Sequence, residues 1–155
     1  HQGSYDMAFI LADGLSARAV HDHAEGTLRA TLAQLDDTWM IAPVTLVHQG
    51  RVAIADEIGN LLGAAMTVIL IGERPGLSSA DSLGAYLTWA PAPGRSNAER
   101  NCISNIRPDG LSPEAAAFKL AYLMRESRRK RLSGIKLKDD VPELPSSVAR
   151  PELKS

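Results

Sequence analysis

The sequence has few of the features that support disulfide formation, membrane insertion or binding to a polyanion. It contains one cysteine, Cys102, so no internal disulfide can form, and no set of cysteines and histidines has zinc-site spacing. The longest apolar run, residues 66–71, is far shorter than the roughly 18 residues that span a bilayer. The formal net charge of −1 gives no preference for nucleic acid or an anionic membrane. These absences favour a reducing, cytosolic setting.

The bulk composition is that of an ordinary globular domain. Hydrophobic residues make up 45% and charged residues 23% of 155, so the chain can bury a core without cross-links. Residues 6–137 are expected to form one α/β domain. Residues 1–5 read as a cloning remnant or a truncated linker, and the proline-containing, apolar-poor residues 138–155 predict a mobile tail.

Apolar patterning predicts an alternation of strands and helices. Strands are predicted at residues 7–12, 40–47, 66–71 and 85–90. Helices are predicted after the capping residue Ser16, from Ile54 to the stop at Gly63, and from the capping residue Ser112 to Ser133. This alternation predicts an α/β fold with a three-layer, mostly parallel sheet flanked by helices, of the Rossmann or flavodoxin-like type.

Three details of the pattern make specific structural predictions. Pro43 should place its strand at an edge of the sheet or in a bulge, because proline cannot donate a ladder hydrogen bond. The second helix should bury one apolar stripe, formed by Ile54, Ile58, Leu61 and Leu62. The polar residues 91–101 should form a loop.

Three segments are expected to meet at one rim of the sheet. Ligands of parallel α/β sheets bind beyond the carboxyl ends of the strands. Residues 13–16 and residues 72–77 follow two predicted strands directly, and the turn around Arg51 and Val52 reaches the same rim if it folds over it. This rim is therefore the predicted binding site for a polar ligand.

Each of the two strand-end segments allows two interpretations. Residues 13–16 either present backbone amides to a polar ligand or form an ordinary strand-to-helix turn capped by Ser16. In residues 72–77, Glu73 either accepts hydrogen bonds from a ligand amide or pairs with Arg74 in an exposed turn. The pattern alone leaves both alternatives open.

The remaining chemically active side chains favour structural interpretations. Cys102 has no adjacent histidine to lower its thiol pKa, which favours a small buried residue over a nucleophile. His21 and His23 are two positions apart on a helix and point to different sides, so a solvated face is predicted rather than a metal site. His48 is expected to be solvated in a loop, and the basic residues 125–131 to form a solvated or subunit-contacting face.

Four motifs follow one another in a fixed order along the chain. They are ADGLSARAV at residues 12–20, QGRV at 49–52, IGERPGL at 71–77 and ERNCISNIR at 99–107. In this order they resemble the small-subunit family of ethanolamine ammonia-lyase. The resemblance covers about residues 6–137 and implies that an N-terminal helical segment found in the family is missing here.

The resemblance implies a function that the residue patterns alone do not. Enzymes of this family convert ethanolamine to acetaldehyde and ammonia, with adenosylcobalamin as the radical source, and a large subunit carries the substrate site. This chain is then the cobalamin-contacting domain, inactive in isolation, with Val52, Glu73 and Cys102 as cobalamin contacts and Arg51 and Arg74 as neighbours. No catalytic or metal-binding residue is expected in it.

The implied partners are the large subunit, in a hetero-oligomer, and cobalamin, without nucleic acid or membrane. The implied location is the bacterial cytoplasm, either inside a microcompartment or outside it.

Two other hypotheses remain. The chain could be a stand-alone flavodoxin-like module for a nucleotide or flavin, or a structural subunit that only stabilises the large chain. Flavin binding by the isolated chain would favour the first, and activity that tolerates site variants would favour the second.

Overall fold

A computed structural model of the chain describes residues 4–76 and 79–137. The strands are β1 (Tyr5–Ala12), β2 (Thr45–Val47), β3 (Ala64–Gly72), β4 (Leu83–Trp89) and β5 (Arg100–Ile106). The helices are α1 (Ala17–Ala19), α2 (Glu25–Leu32), α3 (Ile54–Leu62) and α4 (Pro113–Lys130), with a π-helical segment at Val20–Ala24 and short 3-10 helices at Asn97–Glu99 and Gly134–Lys136. The prediction of an α/β fold is confirmed. The predicted tail at residues 138–155, the start of the predicted linker and Leu77 lie outside the described residues.

The five strands form one mixed sheet in the order β2-β1-β3-β4-β5. Strands β2, β1 and β3 are parallel, whereas β4 is antiparallel to both β3 and β5. The prediction of a mostly parallel sheet did not include this reversal. Only residues 73–82 connect β3 to β4, and a parallel crossover needs a dozen or more residues, usually with a helix. The short connection therefore turns β4 back along β3.

Strand β3 lies at the centre of the sheet, as its uninterrupted apolar run predicts. Its neighbours are β1 on one side and β4 on the other. Met7 and Phe9 of β1 point into the core on the side of α2 and α4, while Ile10 and its neighbour Ile69 on β3 point to the side of α3. None of the helices in the described residues is long and apolar enough to cross a membrane.

The first helix begins where Ser16 predicts. Its hydroxyl accepts a hydrogen bond from the Ala19 backbone N–H at 3.2 Å. Val20, Ala24, Leu28, Leu32 and Leu35, spaced three or four residues apart, form the apolar stripe that faces the core. The π-helical segment Val20–Ala24 within this helix had no sequence signal, because a π turn depends on the contacts that widen it.

Strand β2 is shorter than predicted but lies at the predicted edge of the sheet. It covers Thr45–Val47 rather than residues 40–47, and Ile41 makes only an isolated bridge to Met7. Pro43, between these two points of pairing, cannot donate to a ladder. The edge position is confirmed, and the strand is limited to the residues that follow the proline.

The predicted stripe of α3 is wrong at Leu61, whose residue surface is 65% exposed. The buried face of α3 is centred on the small residues Ala55 and Gly59. A Cβ at Gly59 would lie 2.3 Å from the Thr67 side chain on β3, so the helix approaches the sheet through these small positions. The prediction assumed that the large apolar residues form the buried face. Because the helix approaches the sheet closely, its small residues form that face instead, and Leu61 is left in solvent.

The prediction that residues 91–101 form a loop is wrong at its end. Asn97–Glu99 is a short 3-10 helix, and β5 begins at Arg100. Most of the polar side chains of β5 face away from the core, while Ile103 and Ile106 are buried. This strand lies at the edge of the sheet, where half of its residues need no apolar partner. Its composition is therefore as polar as that of a loop, which explains the wrong prediction.

Candidate functional site

A cleft of about 470 Å³ lies at the carboxyl ends of β1 and β3. It is lined by Gly14, Leu15, Gln49, Gly50, Arg51, Val52, Ile71, Gly72, Glu73, Arg74 and Tyr86. All three segments that were expected at this rim contribute to its wall. Because the segments are far apart in sequence, only the parallel arrangement of β2, β1 and β3 brings them to one edge.

The turn at residues 13–16 uses its amides within the protein. The Leu15 N–H donates to the Gly72 carbonyl at 2.9 Å, and the Ser16 N–H donates to the Asp13 carbonyl at 3.0 Å. Of the two interpretations left open by the sequence, the capped strand-to-helix turn accounts for these donors. The turn therefore shapes the cleft more than it offers amides to a ligand.

Gly72 and Gly14 allow the β1–α1 turn to lie directly against the end of β3. A Cβ at Gly72 would lie 2.0 Å from the Ser16 carbonyl oxygen and 2.5 Å from that of Asp13. Gly14 has φ +55, and a Cβ there would lie 2.5 Å from the Gly72 carbonyl oxygen. Both glycines are thus explained by contact between two backbone segments, without any ligand.

Glu73 links the ends of three strands. Its Oε1 accepts a hydrogen bond from the Ser82 hydroxyl at 2.6 Å, next to β4, and from the Asn105 backbone N–H at 2.8 Å, on β5. Its own N–H donates to the Ser82 carbonyl at 2.9 Å. Among residues 4–76 and 79–137, no group donates to Oε2. One carboxylate oxygen therefore holds the fold, and the other remains able to accept from a ligand.

Two substitutions of Glu73 should separate these roles. Glu73→Ala leaves the Ser82 hydroxyl and the Asn105 N–H without their acceptor and should lower the free energy of unfolding by about 1–3 kcal/mol. Glu73→Gln keeps a carbonyl oxygen for both donors and should lower it by under about 1 kcal/mol. Urea unfolding of the two variants measures the difference. Equal losses would show that Oε1 does not hold these strands together.

The turn before α3 provides the opposite wall of the cleft. Val52 is half-buried, and its carbonyl accepts from the Ala55 N–H at 3.2 Å, which fixes it to the first turn of the helix. Arg51 and Arg74 are exposed at the mouth of the cleft. No carboxylate in the described part of the chain lies within ion-pair distance of either guanidinium. The cleft thus has an apolar wall and two cations without acidic partners at its entrance.

Cys102 does not line the cleft, and the prediction that it is a small buried residue is wrong. It is exposed on the edge strand β5, with its Sγ 3.2 Å from the Ser104 hydroxyl. Its cross-strand partner is Tyr86, which does line the cleft. Cys102 therefore lies next to a cleft residue without lining the cleft itself.

Tyr86 is the cleft residue that the sequence reasoning missed. Burial, together with the neighbouring Cys102 and Glu73, raises the pKa of its phenol to about 12. The hydroxyl therefore stays protonated at neutral pH and can donate a hydrogen bond. The sequence placed Tyr86 in an alternating strand that precedes the motif with Cys102, which was the available signal for it. The sequence did not give the register that pairs these two residues.

The three histidines that the structure describes divide into two groups. His21 and His48 are exposed as predicted, and His48 Nδ1 lies 3.4 Å from Asp13 Oδ2. The prediction for His23 is wrong, because its side chain is only 10% exposed and its Nε2 lies 2.8 Å from Asp81 Oδ2. Asp22, His23 and Asp81 place ligand-type atoms within 4.8 Å of one another, but Asp22 already pairs with an arginine.

The basic residues at the end of α4 make contacts within the chain. Arg128 lies over the Trp39 ring, 3.8 Å from its centroid, and donates to the Thr38 hydroxyl. Arg129 pairs with Glu126 at 2.8 Å. A helix C-terminus favours cations, so these residues need no nucleic-acid partner to explain them.

Comparison with known proteins identifies similar chains. Residues 1–138 match the family model described as Ethanolamine ammonia-lyase light chain (EutC). An ethanolamine ammonia-lyase small subunit from Azotobacter vinelandii is 62% identical over 141 residues, which cover 90% of this chain and 52% of the relative. One from Ralstonia nicotianae is 57% identical over 150 residues, or 93% and 54% of the two chains. The chain spans about half the length of the curated relatives it matches.

Proposed function

The chain belongs to the ethanolamine ammonia-lyase light chain family, and from that premise we propose that it forms one side of a cobalamin site. In this proposal it helps to bind and enclose adenosylcobalamin, while a large subunit carries the site where ethanolamine becomes acetaldehyde and ammonia. The observation that carries the proposal is the rim cleft. Residues of three of the four family motifs line this cleft. The fourth motif contains Cys102, which is the cross-strand partner of the cleft residue Tyr86.

The cleft fits one edge of a corrin ring. It is too small to enclose the whole cofactor, which accords with a site completed by a partner. Val52 and Ile71 provide apolar contact, while Glu73 Oε2 can accept from an amide N–H and the Tyr86 hydroxyl can donate to an amide carbonyl. Corrin side chains carry both kinds of amide group. When bound, the cofactor supplies the radical that begins the reaction, and the protein positions it and excludes water.

The remaining proposed contacts follow from charge and position. Arg51 and Arg74, which have no acidic partner among residues 4–76 and 79–137, suit the phosphodiester of the cofactor's nucleotide. Cys102 lies opposite Tyr86 on the neighbouring strand and, being exposed, can reach the margin of the corrin. No residue of this chain is assigned to acid–base or radical chemistry.

We further infer that the fold is a modified flavodoxin-like fold with three layers, in which helices flank the sheet on both faces. The order β2-β1-β3-β4-β5 supports this, since the flavodoxin-like order is 2-1-3-4-5. The antiparallel β4 is the departure from that pattern. We also propose that the enzyme works in the bacterial cytoplasm, within a microcompartment or outside it.

Val52→Asp in the small subunit, assembled with its large subunit, tests the cofactor role. A carboxylate in the apolar wall should raise the KM for adenosylcobalamin at least about tenfold. The substitution removes the apolar contact of Val52, and the new charge loses solvation when the cofactor covers it. Acetaldehyde formation from ethanolamine at varied cofactor concentration gives the KM. Val52→Ala, which only shortens the side chain, should raise it less.

Leu61→Asp is the matched control, because Leu61 lies on α3 but is exposed and does not line the cleft. It should leave the KM for the cofactor within about twofold of the wild-type value. If Val52→Asp and Leu61→Asp behave alike while both complexes assemble, the chain is a structural subunit and the proposed role fails. Tight flavin binding by the isolated chain would instead favour the stand-alone module.

A further inference from the structure

Residues 80–82, just before β4, are held at three consecutive positions. The Ser16 hydroxyl donates to the Ala80 carbonyl at 3.2 Å. His23 Nε2 lies 2.8 Å from Asp81 Oδ2. Ser82 exchanges two hydrogen bonds with Glu73, one through its hydroxyl and one through its carbonyl. This short segment therefore connects the π-helical region to the carboxylate in the wall of the cleft.

The His23–Asp81 contact is largely shielded from solvent on the histidine side. The His23 side chain is 10% exposed and that of Asp81 is 27% exposed. A carboxylate accepts hydrogen bonds only, so the bonded Nε2 carries the proton. This hydrogen bond is also the main reason why the pKa of Asp81 lies below its usual value. The buried Thr27 hydroxyl donates to the His23 carbonyl at 2.8 Å, which fixes the histidine backbone from the next turn.

We propose that His23 is a positioning residue that orients Glu73 through Asp81 and Ser82. Ser82 follows Asp81 directly, and its hydroxyl is one of the two donors to Glu73 Oε1. If Asp81 lost its anchor, Ser82 would shift, and only the Asn105 N–H would then hold the Glu73 carboxylate in the wall of the cleft. This inference rests on the proposed cofactor role of Glu73, and it assigns a binding function to a histidine that does not touch the cleft.

Glutamine and asparagine at position 23 provide a matched pair of test variants. The glutamine amide nitrogen occupies nearly the same place as histidine Nε2, so His23→Gln keeps the donor to Asp81. The shorter side chain of His23→Asn does not reach it. Asp81→Ala removes the acceptor and leaves His23 in place. Asp22→Asn, a change to an exposed neighbour of His23, is the control for nonspecific effects in this region.

The experiment uses the complete small subunit assembled with the large subunit and adenosylcobalamin. His23→Asn and Asp81→Ala should each raise the KM for the cofactor about five- to tenfold, with kcat at saturating cofactor within about twofold of the wild type. His23→Gln and Asp22→Asn should leave the KM within about twofold. The double variant His23→Asn with Asp81→Ala should be no worse than either single variant, because both remove the same contact.

Hydrogen exchange at the amides of Glu73, which donates to the Ser82 carbonyl, and of Asn105, which donates to Glu73 Oε1, reports the same link without any ligand. Exchange should become faster in His23→Asn and Asp81→Ala but not in His23→Gln. The inference is overturned if His23→Asn keeps the wild-type KM, or if His23→Gln is impaired as strongly as His23→Asn. A wild-type complex that neither binds cobalamin nor forms acetaldehyde would overturn the proposed function, whereas faster exchange at these amides would still show that His23 anchors the segment.

Discussion

Asp56→Ala is expected to lower the free energy of unfolding by about 3–5 kcal/mol, because it leaves the Arg100 guanidinium buried without its counter-charge. A loss of this size should lower the midpoint of thermal unfolding by roughly 10 °C for a domain of this length. Thermal and urea unfolding of the isolated chain would measure it.

The geometry of the pair explains the size of the expected loss. Arg100 Nη1 donates to Asp56 Oδ1 and Arg100 Nη2 to Oδ2, both at 2.7 Å. Each side chain is only 3% exposed. Arg100 also donates to the Thr88 hydroxyl at 3.0 Å and the Arg95 carbonyl at 3.0 Å, and these neutral acceptors cannot replace the lost charge.

An exposed pair in the same chain provides the control. Arg29 and Glu25 on α2 are 2.9 Å apart, but their side chains are 76% and 73% exposed. Glu25→Ala should therefore change the free energy of unfolding by less than about 1 kcal/mol. The combination of Asp56→Leu with Arg100→Met should recover much of the stability that Asp56→Ala loses, because no buried charge remains. A loss below about 1 kcal/mol for Asp56→Ala would contradict this account.

The buried pair also bears on the site. Asp56 lies in the first turn of α3, and Arg100 begins β5, so the pair fixes that helix to the antiparallel part of the sheet. Val52 lies two residues before the start of α3 and lines the cleft. We expect partial unfolding of Asp56→Ala to weaken cofactor binding indirectly, and variants at Val52 to weaken it without loss of stability on this scale.

Gly72→Ala should give the second large effect, a loss of about 2–3 kcal/mol of stability from overpacking. The new Cβ would lie 2.0 Å from the Ser16 carbonyl oxygen, a backbone atom that cannot move without the whole β1–α1 turn. Because Gly72 lines the cleft, the shift should also weaken cobalamin binding by the assembled enzyme. Urea unfolding and the KM for the cofactor measure the two effects.

Gly26→Ala is the matched control, because it makes the same chemical change in α2 with no heavy atom within 4 Å of the added Cβ. In a helix interior this change should raise stability by about 0.5–1 kcal/mol. The two glycine variants are therefore expected to change stability in opposite directions. Similar changes in both would show that the β1–α1 turn relaxes freely and that Gly72 is not required by close approach.

The sequence by itself determined the elements whose signals are local. The apolar run of β3, the caps at Ser16 and Ser112, and the stop at Gly63 are read from neighbouring residues and are confirmed. The order of the four motifs along the chain also indicated the family. The rim position of the three cleft segments followed from the alternation of strands and helices.

Only the tertiary structure decided which distant residues meet, because contacts across the sheet depend on register and approach rather than on neighbours along the chain. The reversal of β4 placed Tyr86 opposite Cys102, and the close approach of α3 left Leu61 exposed. The same folding joined Asp56 to Arg100 and His23 to Asp81 across 44 and 58 positions of sequence. A charged or polar side chain is expected to be exposed to solvent unless a partner in the protein satisfies its hydrogen bonds or charge. The sequence does not show where such a partner lies.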